Sequence, residues 1–68
     1  MSIVEMIEQY KREGIATDCV VYANIGNNSD ELIVCEPKEA DNAGAKVVDI
    51  YFIEHNSYMR TAVITAEV

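Results

Sequence analysis

The chain has 68 residues, with 12 acids against 5 bases, a formal net charge of -7 and half of its residues apolar. A chain of this length forms one domain, residues 1–68, and buries only about 60% of the surface that its unfolded form exposes. The charge argues against a phosphate-backbone binder, which needs clustered Lys and Arg. The apolar content, arranged in regular runs, excludes an intrinsically disordered chain.

The first segment predicts an amphipathic helix. Ser2 and Glu5 have the spacing of a capping box, and Gly14 is placed to end the helix in a left-handed conformation. At a period of 3.6 residues the segment has an apolar face (Ile3, Met6, Ile7, Tyr10) and a polar face (Glu5, Glu8, Gln9, Arg12). We therefore expect the apolar face to pack on the rest of the domain.

The segment from Thr17 to Pro37 predicts a β-hairpin. An apolar set of positions (Cys19, Val21, Ala23, Ile25) alternates with a more mixed set (Asp18, Val20, Tyr22, Asn24). A polar turn follows at residues 26–30, and a second apolar run extends from Leu32 to Cys35. The following residues, 38–45, are small and polar and predict a loop.

Two further strands are predicted, Lys46–Glu54 and Tyr58–Glu67, with a tight connection at residues 55–57. On the first strand one face carries Val48, Ile50 and Phe52, and the other carries Val47, Tyr51 and Ile53. On the second strand Ala62 and Ile64 oppose Val63 and Thr65. The expected fold is α+β, with one N-terminal helix packed on a four-stranded antiparallel sheet. Its far face stays partly apolar, at Val20, Tyr22 and Tyr51.

No residue pattern predicts catalysis, a cofactor or a metal site. The single histidine, His55, falls in a turn, where an exposed residue is expected, and a nucleophile needs an adjacent base and an orienting group. The paired acids Asp30 and Glu31 have no feature that marks a general acid. There is no CxxC motif or second histidine for a metal, and the three glycines are isolated.

Two cysteines, Cys19 and Cys35, are compatible with a cross-strand disulfide or with buried free thiols, which are the commoner arrangement. Two cysteines do not make a disulfide scaffold, so a reducing cytoplasm is expected. The N-terminus lacks the basic and apolar regions of a signal peptide, and no apolar run is long enough to span a membrane.

Negative charge is the remaining pattern. Glu5 and Glu8 are one helical turn apart, and further acids flank the predicted hairpin at Asp18, Asp30, Glu31 and Glu36. Carboxylates three or four residues apart on a helix are separated by about 5–6 Å, and same-face positions on a strand by about 6.6 Å. These intervals resemble the phosphate spacing of a DNA strand, so such a ridge fits a DNA-binding groove. The alternative is that the acids only keep the surface soluble.

The first half of the chain resembles the phage-encoded uracil-DNA glycosylase inhibitors. The resemblance lies in an acidic helix, a Thr-Asp step into an alternating strand, an Asp-Glu turn and a second strand that closes with an acid and a proline. The matching residues are Glu5, Ile7, Glu8, Tyr10, Thr17, Asp18, Val20, Val21, Tyr22, Asp30, Glu31, Ile33, Val34 and Pro37. This chain begins at what corresponds to the second helix of the family, so it is shortened at the N-terminus relative to that pattern.

The resemblance implies a non-enzymatic DNA mimic that blocks a repair enzyme of the bacterial host cell by stoichiometric binding. Glu5 and Glu8 would then replace phosphates, with Asp18, Asp30 and Glu31 as further acidic contacts. A cleft between helix and sheet, lined by Ile7, Tyr10, Val21, Ile33 and Cys35, would capture an apolar side chain of the enzyme.

The expected partner is a protein with a basic DNA-binding groove, with uracil-DNA glycosylase as the first candidate. This chain is expected to bind it as a monomer. No direct contact with nucleic acid or membrane is expected. Two alternatives remain open. One is another phage anti-defence protein, such as an anti-CRISPR, and the other is a homodimeric structural module joined through Tyr22 and Tyr51.

Overall fold

The computed structural model describes residues 1–25 and 31–68 and shows an α+β domain. Its elements, in chain order, are α1 (Ile3–Arg12), β1 (Asp18–Asn24), β2 (Ile33–Cys35), α2 (Pro37–Asn42), β3 (Lys46–Glu54) and β4 (Arg60–Glu67). The predicted hairpin turn at residues 26–30, Asp30 included, lies outside the described residues. None of the described helices is long and apolar enough to cross a membrane.

The capping box predicted for α1 is confirmed. The Ser2 hydroxyl accepts a hydrogen bond from the Glu5 N–H at 3.1 Å, and the Glu5 carboxylate accepts one from the Ser2 N–H at 3.2 Å. At the other end Gly14 has φ of 72°, in the left-handed region that favours glycine. Ile3 and Ile7 are buried, as the predicted apolar face requires.

A second helix, α2, replaces the loop predicted at residues 38–45. Pro37 occupies its first turn, where a missing N–H costs nothing. The Asp41 side chain joins this helix to α1, since its two carboxylate oxygens accept the N–H groups of Ile3 at 2.8 Å and Val4 at 3.0 Å. These donors have no partner within their own helix, so α2 completes the N-terminus of α1.

The sheet is mixed, and the prediction of a purely antiparallel sheet is wrong. The strand order is β2-β1-β4-β3, in which β1 pairs antiparallel with β2 but parallel with β4. The chain leaves β2 at one edge, crosses through α2 and forms β3 at the opposite edge. It then turns back, so that β4 fills the centre and runs parallel to β1. A crossover of this kind commonly contains a helix, so the loop and sheet predictions failed together.

The core lies between the helices and one face of the sheet, here called the helix-side face. Val21 stands beside Ile64 and Ala23 beside Ala66 on the two central strands. The core cluster consists of Ile3, Ile7, Val21, Ala23, Ala40, Ala45, Ile64 and Ala66. Half of these residues are alanine, so the helices approach the sheet closely.

The predicted alternation along β3 holds from Asp49 onward. Ile50 and Phe52 stand beside Ile64 and Ala62 of β4, and the Phe52 ring lies 6.1 Å from that of Tyr10. A β-bulge between Val47 and Asp49 shifts the register by one residue. Val47 therefore stands opposite Ala66 of the core, and the two-residue period that placed it with Tyr51 is interrupted.

The opposite face of the sheet, here called the far face, is partly apolar, as predicted. Val34, Tyr51 and Ile53 are 63%, 50% and 45% exposed, and Val20 and Tyr22 are half-buried. Val63 lies among these residues, between Val20 and Tyr51, and is buried. Neighbouring side chains of the sheet thus cover the centre of this face.

Replacement of Asp41 by alanine tests the link between the helices. We expect Asp41→Ala to lower the free energy of unfolding by about 2 kcal/mol, because two hydrogen bonds to a charged acceptor disappear. Urea denaturation at pH 7 measures this change. Asn42→Ala, at the exposed neighbouring position, is the control and should change stability little. Equal effects of the two substitutions would contradict the assigned role of Asp41.

Candidate functional site

A groove of about 400 Å³ opens at the edge of the sheet, next to the point where β2 ends. The described residues that line it are Cys19, Val20, Val21, Val34, Cys35, Glu36, Pro37 and Glu39. They come from β1, β2 and the start of α2. Its volume falls in the range of small binding sites.

The groove exists because β2 is shorter than β1. β2 pairs only with Val21–Ala23, which leaves Asp18–Val20 without a strand neighbour on that side among the described residues. Pro37 follows two residues after Cys35, lacks an N–H and begins α2, so the ladder of hydrogen bonds stops there. The groove is lined from both faces of the sheet, since Cys19 and Val20 point to opposite sides. It therefore runs along the edge of β1.

The backbone N–H and C=O groups of Cys19 point toward the edge of β1 that β2 leaves uncovered. The Asn24 carbonyl accepts a hydrogen bond from the Val68 N–H at 3.2 Å, which directs the backbone of Asn24 toward β4. Backbone groups of successive strand residues point to opposite edges, so those of Cys19 point away from β4. The Cys19 N–H instead donates to the Asp18 carboxylate at 2.9 Å.

The groove has negative charge at its rim and protonated thiols on its wall. Glu36 and Glu39 line it and are exposed. Burial raises the pKa of Cys35, and Glu39 and Glu36 raise it further. Burial also raises the pKa of Cys19. The charge of Lys11 lowers this pKa, and the Asp18 carboxylate raises it. Neither thiol is activated as a nucleophile.

The two cysteines are free and half-buried, in agreement with the commoner of the predicted arrangements. Cys35 stands opposite Val21, so Cys19 is its diagonal neighbour two residues away. Diagonal positions are about 7–8 Å apart, which exceeds the Cα spacing of about 4.4–6.8 Å that a disulfide bridges. Within the described residues no group of three potential ligands is arranged to hold a metal ion.

The predicted acidic contacts that the structure describes, all but Asp30, fall into three places. Glu5 and Glu8 are exposed on α1, and the hydrogen bonds from Ser2 lower the pKa of the Glu5 carboxyl. Asp18 is exposed next to the groove residue Cys19, whose N–H it accepts. Glu31 is exposed at the opposite end of β1 and β2, about 20 Å from Asp18 at the rise of a strand. Asp18 and Glu31 therefore lie at opposite ends of the paired strands.

The residues predicted to line an apolar cleft are also divided. Ile7 and Val21 belong to the closed core, with 8% and 1% of their surface exposed. Tyr10 is half-buried against Phe52, and Ile33 is 42% exposed on β2. Of the five, only Val21 and Cys35 also line the groove, and Val21 offers almost no free surface there.

His55 is exposed at the β3–β4 turn, as predicted, and its Nε2 atom lies 2.9 Å from the Thr61 hydroxyl oxygen. The predicted site includes Val21 and Cys35 of the groove and misses its other described lining residues, which are Cys19, Val20, Val34, Glu36, Pro37 and Glu39. A proline followed by an acid two residues later, with a glycine just beyond Asn42 and Ala43, is the pattern of a short helix. That pattern indicates α2, whose first turn supplies one wall of the groove.

Comparisons with protein-family models, with curated proteins and with solved structures found nothing that matches this chain.

Alanine substitutions distinguish core positions from surface positions among the predicted cleft residues. Val21→Ala should lower the free energy of unfolding by about 2 kcal/mol, because it leaves a cavity in the core. Ile33→Ala removes a larger side chain but should cost less than about 1 kcal/mol, because that side chain is partly in solvent. Urea denaturation of both variants measures the difference. A larger loss for Ile33→Ala would contradict the assignment of Val21 to the core.

The raised pKa values of both thiols predict slow alkylation. At pH 7 iodoacetamide should alkylate the thiols of the folded protein more slowly than it alkylates the free thiol of glutathione. The alkylation rate of the protein should rise about tenfold per pH unit, because only the thiolate reacts. Intact-mass spectrometry follows the reaction, and the urea-unfolded protein provides the reference rate. Modification of the folded protein at pH 7 as fast as in urea would contradict this expectation.

Proposed function

We propose that this protein is a stoichiometric inhibitor of a DNA-binding enzyme that acts by DNA mimicry, with uracil-DNA glycosylase as the first enzyme to test. The observation that carries the proposal is an apolar groove with an acidic rim, next to two helices that expose acids. The protein then acts by occupying its partner and not as an enzyme.

The two helices, α1 and α2, here called the helical layer, supply the negative charge that replaces phosphates. Glu5 and Glu8 on α1, Glu36 before α2 and Glu39 on it are all exposed, and both helices contribute to the core on the helix-side face. Exposed carboxylates on and beside the two helices attract the basic DNA-binding groove of an enzyme over several ångströms. Such charges act mainly on the association rate and on the choice of partner.

The edge groove supplies the apolar contact that the closed core does not. Val20, Val34 and Pro37 form apolar walls beside Glu36 and Glu39. An apolar side chain of the enzyme that is fully buried there contributes on the order of 1.5–3 kcal/mol. Since dissociation exposes this side chain again, the apolar contact mainly slows release.

An activity assay on uracil-containing DNA tests the proposal directly. Added protein should reduce glycosylase activity in proportion to its concentration, until one molecule per enzyme abolishes it. Full activity at molar excess over several bacterial glycosylases would refute uracil-DNA glycosylase as the target. The same titration with a nuclease complex tests the related possibility of an anti-CRISPR that uses the same acidic surface.

Charge reversal tests which acids meet the enzyme. Glu8→Lys combined with Glu39→Lys should slow association, weaken inhibition and reduce its salt dependence, because both positions are exposed on the helical layer. The control is Glu13→Lys combined with Glu67→Lys, two exposed acids with the same change in net charge. Glu5 is tested as Glu5→Gln, since glutamine preserves the capping box. Equal loss in the two double variants would indicate that only net charge matters.

A homodimeric structural module is the second candidate, favoured by the exposed apolar residues of the far face. Val34, Tyr51 and Ile53 would bury this surface against a second copy. Sedimentation at several concentrations separates the two candidates. A stable dimer that Tyr51→Glu dissociates would support the module, whereas a monomer at all concentrations supports the inhibitor.

A further inference from the structure

We infer that the edge groove binds an extended segment of a protein partner, in which apolar residues are flanked by Lys or Arg, and that this segment adds to β1 as a short strand beside Asp18–Val20. The inference rests on the proposed function for the identity of the partner. The mode of binding follows from the groove alone.

The backbone of β1 is prepared for strand addition at one residue. Cys19 directs both its N–H and its C=O to the edge that β2 leaves uncovered. Its N–H is held by the Asp18 carboxylate at 2.9 Å, and its carbonyl faces the groove. An incoming strand donates its own N–H to this carbonyl, and its C=O takes the place of the Asp18 carboxylate. This is the β-augmentation mode of peptide recognition.

The side chains on both faces of the edge fit an extended apolar segment. Successive residues of a strand point to opposite faces. One side chain of the segment therefore meets Cys19 and Cys35 on the helix-side face, and the next meets Val20 and Val34 on the far face. A compact ligand on one face of the sheet would use only half of these walls, so the lining favours a strand.

The charge around the groove selects basic flanking residues. Glu36 and Glu39 line the groove, and no Lys or Arg is among its described lining residues. Once the strand replaces it, the Asp18 carboxylate is also free to pair with a cation of the ligand. Two bases oppose these acids, Lys11, whose charge acts on Cys19, and Lys38, which lies between Pro37 and Glu39 on α2. They do not offset all three carboxylates.

A second copy of this chain does not have the required chemistry. Its own edge strand β2 continues into Glu36, and β3 carries Asp49 and Glu54 with the single base Lys46. Two chains of net charge -7 also repel each other. The fitting occupant is therefore an extended basic and apolar segment of another protein.

Synthetic peptides of defined sequence test this inference. The probe is acetyl-KVLVR-amide, compared with acetyl-EVLVE-amide, which has opposite charge, and acetyl-KGSGR-amide, which lacks apolar side chains. Two-dimensional NMR titration of the intact protein should show saturable shifts of the Cys19 and Val20 amides with KVLVR and with neither control. A KVLVR peptide that is N-methylated at the central leucine should bind at least about fivefold more weakly, because it loses the N–H for the Cys19 carbonyl.

Matched variants locate the site. Glu36→Gln combined with Glu39→Gln should weaken KVLVR binding about fivefold, whereas Glu13→Gln combined with Glu67→Gln should leave it unchanged. Val34→Lys, at a position 63% exposed, should abolish binding while the protein stays folded by circular dichroism. Shifts confined to other residues, equal binding of EVLVE, or no effect of N-methylation would overturn strand addition.

The outcome is separable from that of the glycosylase assay. Peptide binding without glycosylase inhibition would support the groove and reject that enzyme as the target. Glycosylase inhibition that survives Val34→Lys, with no peptide binding, would support the inhibitor and overturn the groove as its contact.

Discussion

The two hydrogen bonds from the N-terminus of α1 to the Asp41 carboxylate are the interaction on which the arrangement of the helices depends. They satisfy donors that a helix cannot satisfy itself and attach α1 to α2 in a fixed relation. Ala40, next to Asp41, is fully buried in the core at the same point. With α2 held there, Pro37 and Glu39 stand at the end of β2 and form a wall of the edge groove. Loss of this link would thus affect stability and the candidate site together.

The two edge regions of the sheet have the same kind of hydrogen bond, from a backbone N–H to the preceding aspartate. Among the described residues, no strand carbonyl accepts a hydrogen bond from the N–H of Cys19 on β1 or of Ile50 on β3. Each of these N–H groups donates at 2.9 Å to the carboxylate of the preceding aspartate. A carboxylate in this position covers a free donor and places charge on an edge, which discourages unspecific pairing with other chains. On β3 a bulge further interrupts the edge. On β1 the apolar walls on both faces leave a place where one suitable strand can still add.

The distribution of charge connects stability with the proposed function. Apart from Asp41, which is half-buried, every described acid is exposed, so the surplus negative charge lies where a partner meets it. Mutual repulsion among these acids opposes folding, and the chain offsets part of it locally. The Glu5 carboxylate caps α1, and Arg60 lies 3.5 Å from Glu54 in an exposed ion pair. A basic partner of the proposed kind would relieve the remaining repulsion on binding.

The sequence by itself determined the features that depend on neighbouring residues. The Ser2–Glu5 box, the Gly14 end of α1, the alternation of β1 and the exposed turn at His55 follow from hydrogen bonds and periods within a few positions, and each is present in the structure. Only the tertiary structure decided that β4 lies beside β1, because that pairing depends on how α2 carries the chain across the sheet. In the same arrangement Ile7 and Val21 lie in the closed core, and the groove opens at the edge of the sheet beside Cys35. Spacing along the chain does not encode which strands become neighbours, so the place of the groove could not be predicted from it.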